Sequence, residues 1–117
     1  MKEQLIGFET AKLASEKGYS FGFGNSQLFY YPETGALTEN HRGNNYPAPT
    51  QSLLQKWLRE KHKLHISLYL QENTLVCRWR VKVFYLKRLE DPNVHFWDFD
   101  TYEEALEKGL QGALNLI

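Results

Sequence analysis

Two neighbouring segments alternate apolar with polar residues, and this pattern constrains the fold more than any other feature of the sequence. In residues 64–70, leucine and isoleucine occupy every second position. In residues 75–85, apolar residues alternate mainly with Arg78, Arg80 and Lys82. A period of two residues places apolar side chains on one face of a β-strand and polar ones on the other. The sequence therefore predicts an antiparallel hairpin with one buried face.

The register of this hairpin is predicted by matching its apolar positions. A two-residue loop at positions 72–73 would pair two apolar residues at each inward position, and a slip of one residue would turn all of them outward. The predicted pairs are Leu70 with Leu75, Leu68 with Cys77, Ile66 with Trp79, and Leu64 with Val81. We therefore expect Ile66 and Trp79 to lie directly opposite each other in the core.

Two helices are predicted ahead of the hairpin. Residues 8–17 follow Gly7, an acceptable N-cap, and precede Gly18, where a left-handed glycine commonly ends a helix. The second helix follows Thr50, a good N-cap, and extends to His62. Its apolar stripe consists of Leu53, Leu54, Trp57 and Leu58.

A third helix is predicted over residues 101–117. Thr101 and Glu104 have the spacing of a capping box, in which each side chain satisfies a free amide of the first turn. Spacings of three and four then define a stripe that we expect to be buried. The stripe consists of Tyr102, Ala105, Leu106, Gly109, Leu110, Ala113, Leu114 and Ile117. The residues expected to face water are Glu103, Glu104, Glu107 and Lys108.

Weaker strand signals lie at residues 27–31 and 36–39, with turn residues between them and a polar loop at 40–46 after them. The element order is therefore α-β-β-α-β-β-α within a single domain, residues 1–117. We predict an α+β fold, with a small, mainly antiparallel sheet and helices packed on one face. Two helix-plus-hairpin units before a closing helix also have the outline of a structural repeat.

The composition predicts a soluble cytoplasmic protein. Apolar residues make up 42% and charged residues 24% of the 117 positions, as in an ordinary globular domain. The longest apolar runs, such as 28–31, are far shorter than the roughly 20 residues of a membrane-spanning helix. The N-terminal residues show no apolar signal segment, and the single cysteine cannot form an internal disulfide.

The cysteine and the histidines do not form a catalytic or metal-binding pattern. Cys77 falls on the inward hairpin face, where a free cysteine behaves as a small apolar residue. His62 and His65 are three residues apart, but His41 and His95 fall in predicted loops. Because a structural zinc site needs four ligands, we predict that the chain holds no metal.

Two further patterns have ordinary structural explanations. The acidic cluster of Asp98, Asp100, Glu103 and Glu104 lies at a helix start, where acids favour the helix dipole. The segment 22–24, Gly-Phe-Gly, lacks the later glycine of a dinucleotide site and the Lys-Ser/Thr pair of a P-loop. We predict that the protein is not an enzyme and needs no cofactor.

Charge is unevenly distributed, although the net charge is zero. Residues 56–88 carry a net charge of +7, and residues 89–117 carry −6. Part of the positive charge falls on the outward hairpin face, where cations alternate with aromatic rings as in proteins that bind single-stranded nucleic acid. The candidate binding residues are His65, Tyr69, Arg78, Arg80, Lys82 and Phe84.

Three interpretations of this face stay open. The acidic third helix could lie within a Debye length of about 8 Å and neutralise it, or the face could simply be solvated. It could bind single-stranded nucleic acid through phosphate contacts and base stacking. It could also bind an acidic protein partner.

Three segments carry a resemblance to a known family: Gly7-Phe-Glu-Thr-Ala-Lys-Leu-Ala-Ser-Glu-Lys-Gly18, Tyr46-Pro-Ala-Pro-Thr-Gln-Ser-Leu-Leu-Gln-Lys-Trp-Leu-Arg-Glu-Lys-His62 and Phe99-Asp-Thr-Tyr-Glu-Glu-Ala105. They resemble small uncharacterised proteins encoded by bacteriophages and mobile elements of gut Bacteroidetes. The chain departs from that pattern at Gly7, where a capping Ser or Thr is usual. The resemblance implies a genomic setting and no activity or cofactor. We expect an accessory protein that acts through protein–protein contacts, with nucleic-acid binding by the hairpin face as the alternative.

Overall fold

A computed structural model describes residues 4–19, 28–39, 44–72, 77–85 and 94–117. The elements are α1 (Phe8–Glu16), β1 (Phe29–Tyr30), β2 (Leu37–Thr38), β3 (Tyr46–Pro47), α2 (Gln51–His62), β4 (Leu64–Glu72), β5 (Cys77–Tyr85), β6 (Val94–Phe99) and α3 (Tyr102–Leu114). Helices and antiparallel strands are both present and follow each other along the chain. The fold is therefore α+β, as predicted.

The strands form two antiparallel sheets, where the sequence predicted one. The small sheet has the order β2-β1-β3, and the main sheet has the order β4-β5-β6. The first strand is central in the small sheet, whereas the second strand is central in the main sheet. The two helix-plus-strand units therefore differ in topology and do not form a structural repeat.

Strand β6 is absent from the predicted order, and a β-bulge explains why. Phe96 lies opposite Val81 and Phe99 lies opposite Trp79, with a register shift between the two pairs. Between these two pairs, the chain moves three residues along β6 but only two along β5, so β6 contains one extra residue. The extra residue breaks the two-residue period that identifies a strand in a sequence. His95 lies in this strand and not in the predicted loop. Strand β3 was also missed, because two residues show no period.

The N-cap residues are those predicted, but the capping box of α3 forms only in part, because the described contacts hold no hydrogen bond from the Thr101 N–H to the Glu104 side chain. The Thr50 hydroxyl accepts from the Leu53 N–H at 3.2 Å, and the Thr101 hydroxyl accepts from the Glu104 N–H at 3.1 Å. Gly7 is the N-cap of α1, and Gly18 has a φ of 100° after its last turn. These caps are local, so the sequence alone specifies them.

The predicted hairpin register is wrong, although the predicted inward face is right. Ile66 pairs with Val83 and not with Trp79, which pairs with Leu70. Elsewhere in the hairpin, Leu64 pairs with Tyr85, Leu68 with Val81 and Glu72 with Cys77. Glu72 and Cys77 are the last pair, so residues 73–76 connect the strands where a two-residue loop was expected. The partners shift by four positions, and an even shift keeps every residue on its face.

Helix α3 packs on the inward face of the main sheet through Gly109. A Cβ atom at this position would lie 2.6 Å from Cγ2 of Val81 and 2.9 Å from Cγ2 of Ile66. Both distances are shorter than any ordinary carbon contact, so glycine allows the helix to approach the strands. Trp79 is half-buried and lies edge-on to Tyr102, with ring centroids 5.2 Å apart. The predicted stripe of α3 is buried from Ala105 to Leu114, while Tyr102 is exposed.

Candidate nucleic-acid interface

The six candidate residues lie together on the outward face of the β4–β5 hairpin, here called the basic face. Tyr69 lies opposite Arg80, and His65 lies opposite Phe84. Lys82 lies opposite Ser67, and Arg78 lies opposite Gln71. The inward neighbours of these residues, such as Ile66 and Val81, are buried. The predicted membership of the basic face is unchanged by the wrong register, because the two-residue period alone determines which residues share a face.

Rings and cations are direct neighbours on the basic face. Residues opposite each other in an antiparallel pair have Cβ atoms about 4.5–5.5 Å apart, so Tyr69 and Arg80 are side by side. The Lys82 ammonium lies 5.1 Å from the centroid of the Tyr69 ring, which is cation–π distance. All six side chains are half-buried. Each ring therefore has a cation or an imidazole beside it.

Arg78 forms an ion pair with Asp100, which precedes α3. The Arg78 side chain is 39% exposed and the Asp100 side chain 74% exposed. An ion pair this open to water contributes roughly 0–1 kcal/mol. It nevertheless places a carboxylate against one guanidinium of the basic face. This carboxylate precedes the third helix, whose own acids were the expected partners.

Helix α3 itself lies on the other side of the sheet from the basic face. Its Gly109 meets Ile66 and Val81, whose side chains point inward. Glu103 and Glu104 are exposed, as predicted. The Gly109 contact therefore holds α3 on the face of the sheet opposite the basic face.

Glu107 does not face water as predicted but is half-buried and holds three segments together. Its Oε2 accepts from the Gly7 N–H at 2.9 Å and from the Thr10 hydroxyl. Its Oε1 accepts from Nε2 of Gln51 at 3.0 Å. Glu107 therefore satisfies the backbone N–H of Gly7, the N-cap residue, which is the role that the N3 side chain has in a capping box. The donors are 56 to 100 residues away in the chain, so no local pattern identifies them.

Two buried polar residues complete this network, and sequence reasoning missed both. Thr10 accepts from Nε2 of Gln111 at 3.0 Å, and Gln51 donates to the Glu103 carbonyl at 3.0 Å. Thr10 and Gln51 are the polar side chains that the described core buries. Both residues lie in the first turn of a helix. Polar residues are also common in first turns that face solvent, so this position alone does not identify a buried network.

Tyr30 lies near the same network. Its hydroxyl donates to the Ile6 carbonyl at 2.7 Å and is buried. Burial raises the pKa of Tyr30 above its usual value, and the negative charge of Glu107 raises it further. The phenol is therefore held in its neutral, donating form.

The remaining candidates do not converge on a site. The His62 ring lies edge-on to Trp57 with centroids 4.7 Å apart, whereas His65 lies on the basic face. Cys77 begins β5 opposite Glu72, not opposite Leu68 as predicted. Within the described ranges, no group of three or more His, Cys, Asp or Glu could hold a metal ion. The Gly-Phe-Gly segment at 22–24 and His41 lie outside the described residues.

An open groove, separate from the basic face, lies between α1 and α3. This open groove has a volume of about 340 Å³. Its lining consists of Glu9, Lys12, Leu13, Glu16, Gln111 and Asn115. Charges of both signs line it, so it offers no single chemistry to a ligand.

Comparison with known proteins identifies no relative. No family model matches the chain, and neither a curated protein nor a solved structure matches it. In the part of the chain that the structure describes, no helix is both long and apolar enough to cross a membrane.

Proposed function

We propose that this protein binds single-stranded nucleic acid through the basic face. The observation that carries this proposal is the alternation of cations and rings on one face of an antiparallel sheet whose other face packs against α3. Sheet surfaces that bind single strands place guanidinium and ammonium groups on phosphates and stack bases on aromatic rings.

The geometry divides these roles among the residues. Arg80 and Lys82 are cations in the middle of β5 and would contact the phosphates. Tyr69 and Phe84 would stack bases, since each lies at an outward position with a polar group beside it. Arg78 already engages Asp100, which offsets part of its positive charge.

The position of α3 also supports the proposal. The acids of this helix would weaken anion binding if they lay on the basic face. Glu107 is instead directed to the start of α1, and Gly109 fixes the helix against the inward face. Among the described residues, Asp100 opposes the positive charge of the outward face at Arg78.

A second candidate function is contact with an acidic protein. The Arg78–Asp100 pair favours it, because a carboxylate is the group that an acidic partner would present to this face. Such contact fits the accessory role expected from the resemblance to phage and mobile-element proteins. It would use the same cations but not the stacking ability of the rings.

The test measures fluorescence anisotropy of a labelled single-stranded oligothymidine at a series of salt concentrations. We expect binding at low salt that weakens linearly on a log–log plot as phosphate contacts are lost. Arg80→Glu/Lys82→Glu should weaken binding at least about a hundredfold, by roughly 1–2 kcal/mol or more per reversed charge. Lys56→Glu/Arg59→Glu, at exposed positions of α2, makes the same charge change away from the face and should have a much smaller effect.

A stacking control separates the two candidate functions. Tyr69→Leu and Phe84→Leu should weaken oligothymidine binding by about 1–3 kcal/mol per stacked base. A polyglutamate peptide, which offers charge without bases, should be insensitive to both changes. If the peptide binds more tightly than the oligonucleotide, the acidic-partner function replaces the nucleic-acid function. If neither ligand binds at low salt, both proposals fail.

A further inference from the structure

Strand β4 lies at one edge of the main sheet in the described structure. The Ile66 carbonyl accepts from Nε2 of Gln55 in α2 at 3.1 Å. This carbonyl therefore points away from β5. Because backbone groups alternate in direction along an antiparallel strand, the N–H and C=O groups of Leu68 and Leu70 point to the same outer side.

The open part of this edge is short. Gln55 covers the edge at Ile66, but no described residue forms a hydrogen bond with the outer backbone groups of Leu68 or Leu70. The Leu70 side chain is 45% exposed. Proteins usually protect an open edge with Lys, Pro or a bulge, yet residues 64–71 contain neither Lys nor Pro. The bulge of the main sheet lies on the other side, between β5 and β6.

We propose that this edge pairs antiparallel with the same edge of a second copy of this chain, around a two-fold axis at Tyr69. Leu68 then lies opposite Leu70 of the second copy, and both use the outer backbone groups in hydrogen-bonded pairs. Tyr69 lies opposite its own counterpart. Residues 66–71 carry no charged side chain, so the two strands meet without like-charge repulsion.

Other registers are less favourable. An axis at Leu70 would place Leu68 opposite the Glu72 of the second copy. An axis at Leu68 would place Ile66 opposite Leu70 of the second copy and would need the outer backbone groups of Ile66 for pairing. The carbonyl of Ile66 already accepts a hydrogen bond from Gln55. The axis at Tyr69 pairs both Leu68 and Leu70 with leucine, whereas an axis at Leu70 pairs only Leu70 with its own counterpart.

The basic faces of the two copies do not oppose this pairing. Three strand spacings, roughly 14 Å, would separate β5 of one copy from β5 of the other. That distance exceeds the Debye length of about 8 Å at physiological salt, so repulsion between the Arg80 side chains is screened. The proposal does not depend on nucleic-acid binding.

The first test is sedimentation velocity from about 10 µM to about 1 mM, because an interface this small gives a weak dimer. The wild-type protein should shift from monomer to dimer over this range. Leu70→Lys should raise the dissociation constant of the dimer at least about tenfold. The control Leu37→Lys changes a leucine of similar exposure, 48% against 45%, in β2 and should leave it unchanged. A wild-type protein that stays monomeric, or equal effects of both variants, overturns the proposal.

The second test fixes the register by disulfide cross-linking in a Cys77→Ala background, with oxidised glutathione as the oxidant. Tyr69→Cys places two thiols directly opposite each other across the proposed axis, within disulfide distance. Ser67→Cys is the matched control, because its two thiols lie roughly 13 Å apart along the strands. Covalent dimer should form at least tenfold faster with Tyr69→Cys, provided that both variants keep the wild-type circular dichroism spectrum. Equal rates, or faster linking at Ser67, contradict the proposed pairing.

Discussion

At the residue scale, Glu107 shows how a surface-type residue becomes part of the interior. Its carboxylate accepts from Gly7, Thr10 and Gln51, which belong to α1 and α2 or adjoin them. Each donor would otherwise lose hydrogen bonds to water without replacement, and a buried donor left unsatisfied costs about 1–3 kcal/mol. Thr10 and Gln51 are both buried, so this cost applies to them.

We expect Glu107→Gln to lower the free energy of unfolding by about 1–3 kcal/mol, because an amide presents an N–H group where two acceptor oxygens are needed. Urea denaturation followed by circular dichroism measures the change. Glu103→Gln removes the same charge at an exposed position of the same helix and should change stability by no more than about 0.5 kcal/mol. Equal effects would show that charge, and not the hydrogen-bond network, matters here.

Lys63 carries backbone strain between α2 and β4. Its φ of 59° and ψ of 34° are left-handed, a conformation that costs roughly 1–2 kcal/mol for a residue with a side chain. We expect Lys63→Gly to raise the free energy of unfolding by about 0.5–1 kcal/mol, after the larger unfolded-state entropy of glycine is subtracted. Lys61→Gly, two residues earlier in the last turn of the helix, should instead lower it by up to about 1 kcal/mol. Thermal denaturation of the two variants should therefore shift in opposite directions.

At the scale of elements, the crossing of α3 over the main sheet depends on one missing side chain. Gly109 lies against Ile66 and Val81, which are themselves buried between helix and strands. Glycine lowers helix propensity, so its presence in the middle of a helix indicates that close packing outweighs that cost. The same contact determines which face of the sheet is covered and which remains outward.

We expect Gly109→Ala to lower the free energy of unfolding by about 1–3 kcal/mol, because the added methyl group overlaps Cγ2 of both neighbours. Alanine favours the helix, so a gain in stability would mean that the packing relaxes easily. Lys108→Ala makes a small change at the adjacent exposed position and should have an effect near zero. Chemical denaturation distinguishes the two outcomes.

At the scale of the whole molecule, the N-terminal segment joins the small sheet to the start of α2. Tyr30 of the small sheet donates to the Ile6 carbonyl, and Leu5 forms a bridge with Thr50 ahead of α2. The Ile6 N–H donates to the Pro49 carbonyl at 3.0 Å. Tyr30 must be neutral to donate this hydrogen bond, so deprotonation of its phenol would remove the contact with the Ile6 carbonyl.

Alkaline pH should therefore destabilise the fold through Tyr30. Its pKa is raised in the folded state by burial and by Glu107, so the stabilisation it provides is complete below the unfolded pKa of about 10. That stabilisation is lost as the pH rises through the folded pKa. Tyr30→Phe should be less stable at neutral pH by about 1 kcal/mol and lose less stability than the wild type above about pH 10.

The control for this prediction is Tyr102→Phe, which removes an exposed phenol. It should keep the alkaline pH dependence of the wild-type protein. The prediction fails if the stability curve of Tyr30→Phe runs parallel to that of the wild type between about pH 9 and pH 11, measured by urea denaturation.

The sequence alone determined the features that depend on neighbouring residues. Thr50 and Thr101 cap their helices through contacts three residues away, and the alternation in β4 and β5 places Arg80 and Lys82 on the outward face. These interactions are local, so a pattern of a few residues is sufficient to identify them.

Tertiary structure decided the features for which local patterns are degenerate. Ile66 meets an apolar partner in either register, so alternation alone does not distinguish Val83 from Trp79. The bulge in β6 removes the alternation that would reveal that strand. Glu107 has the same local pattern as a solvated acid, and donors up to 100 residues away make it a structural one. Such contacts form only after distant segments are brought together, because their energy comes from burial and pairing across the fold.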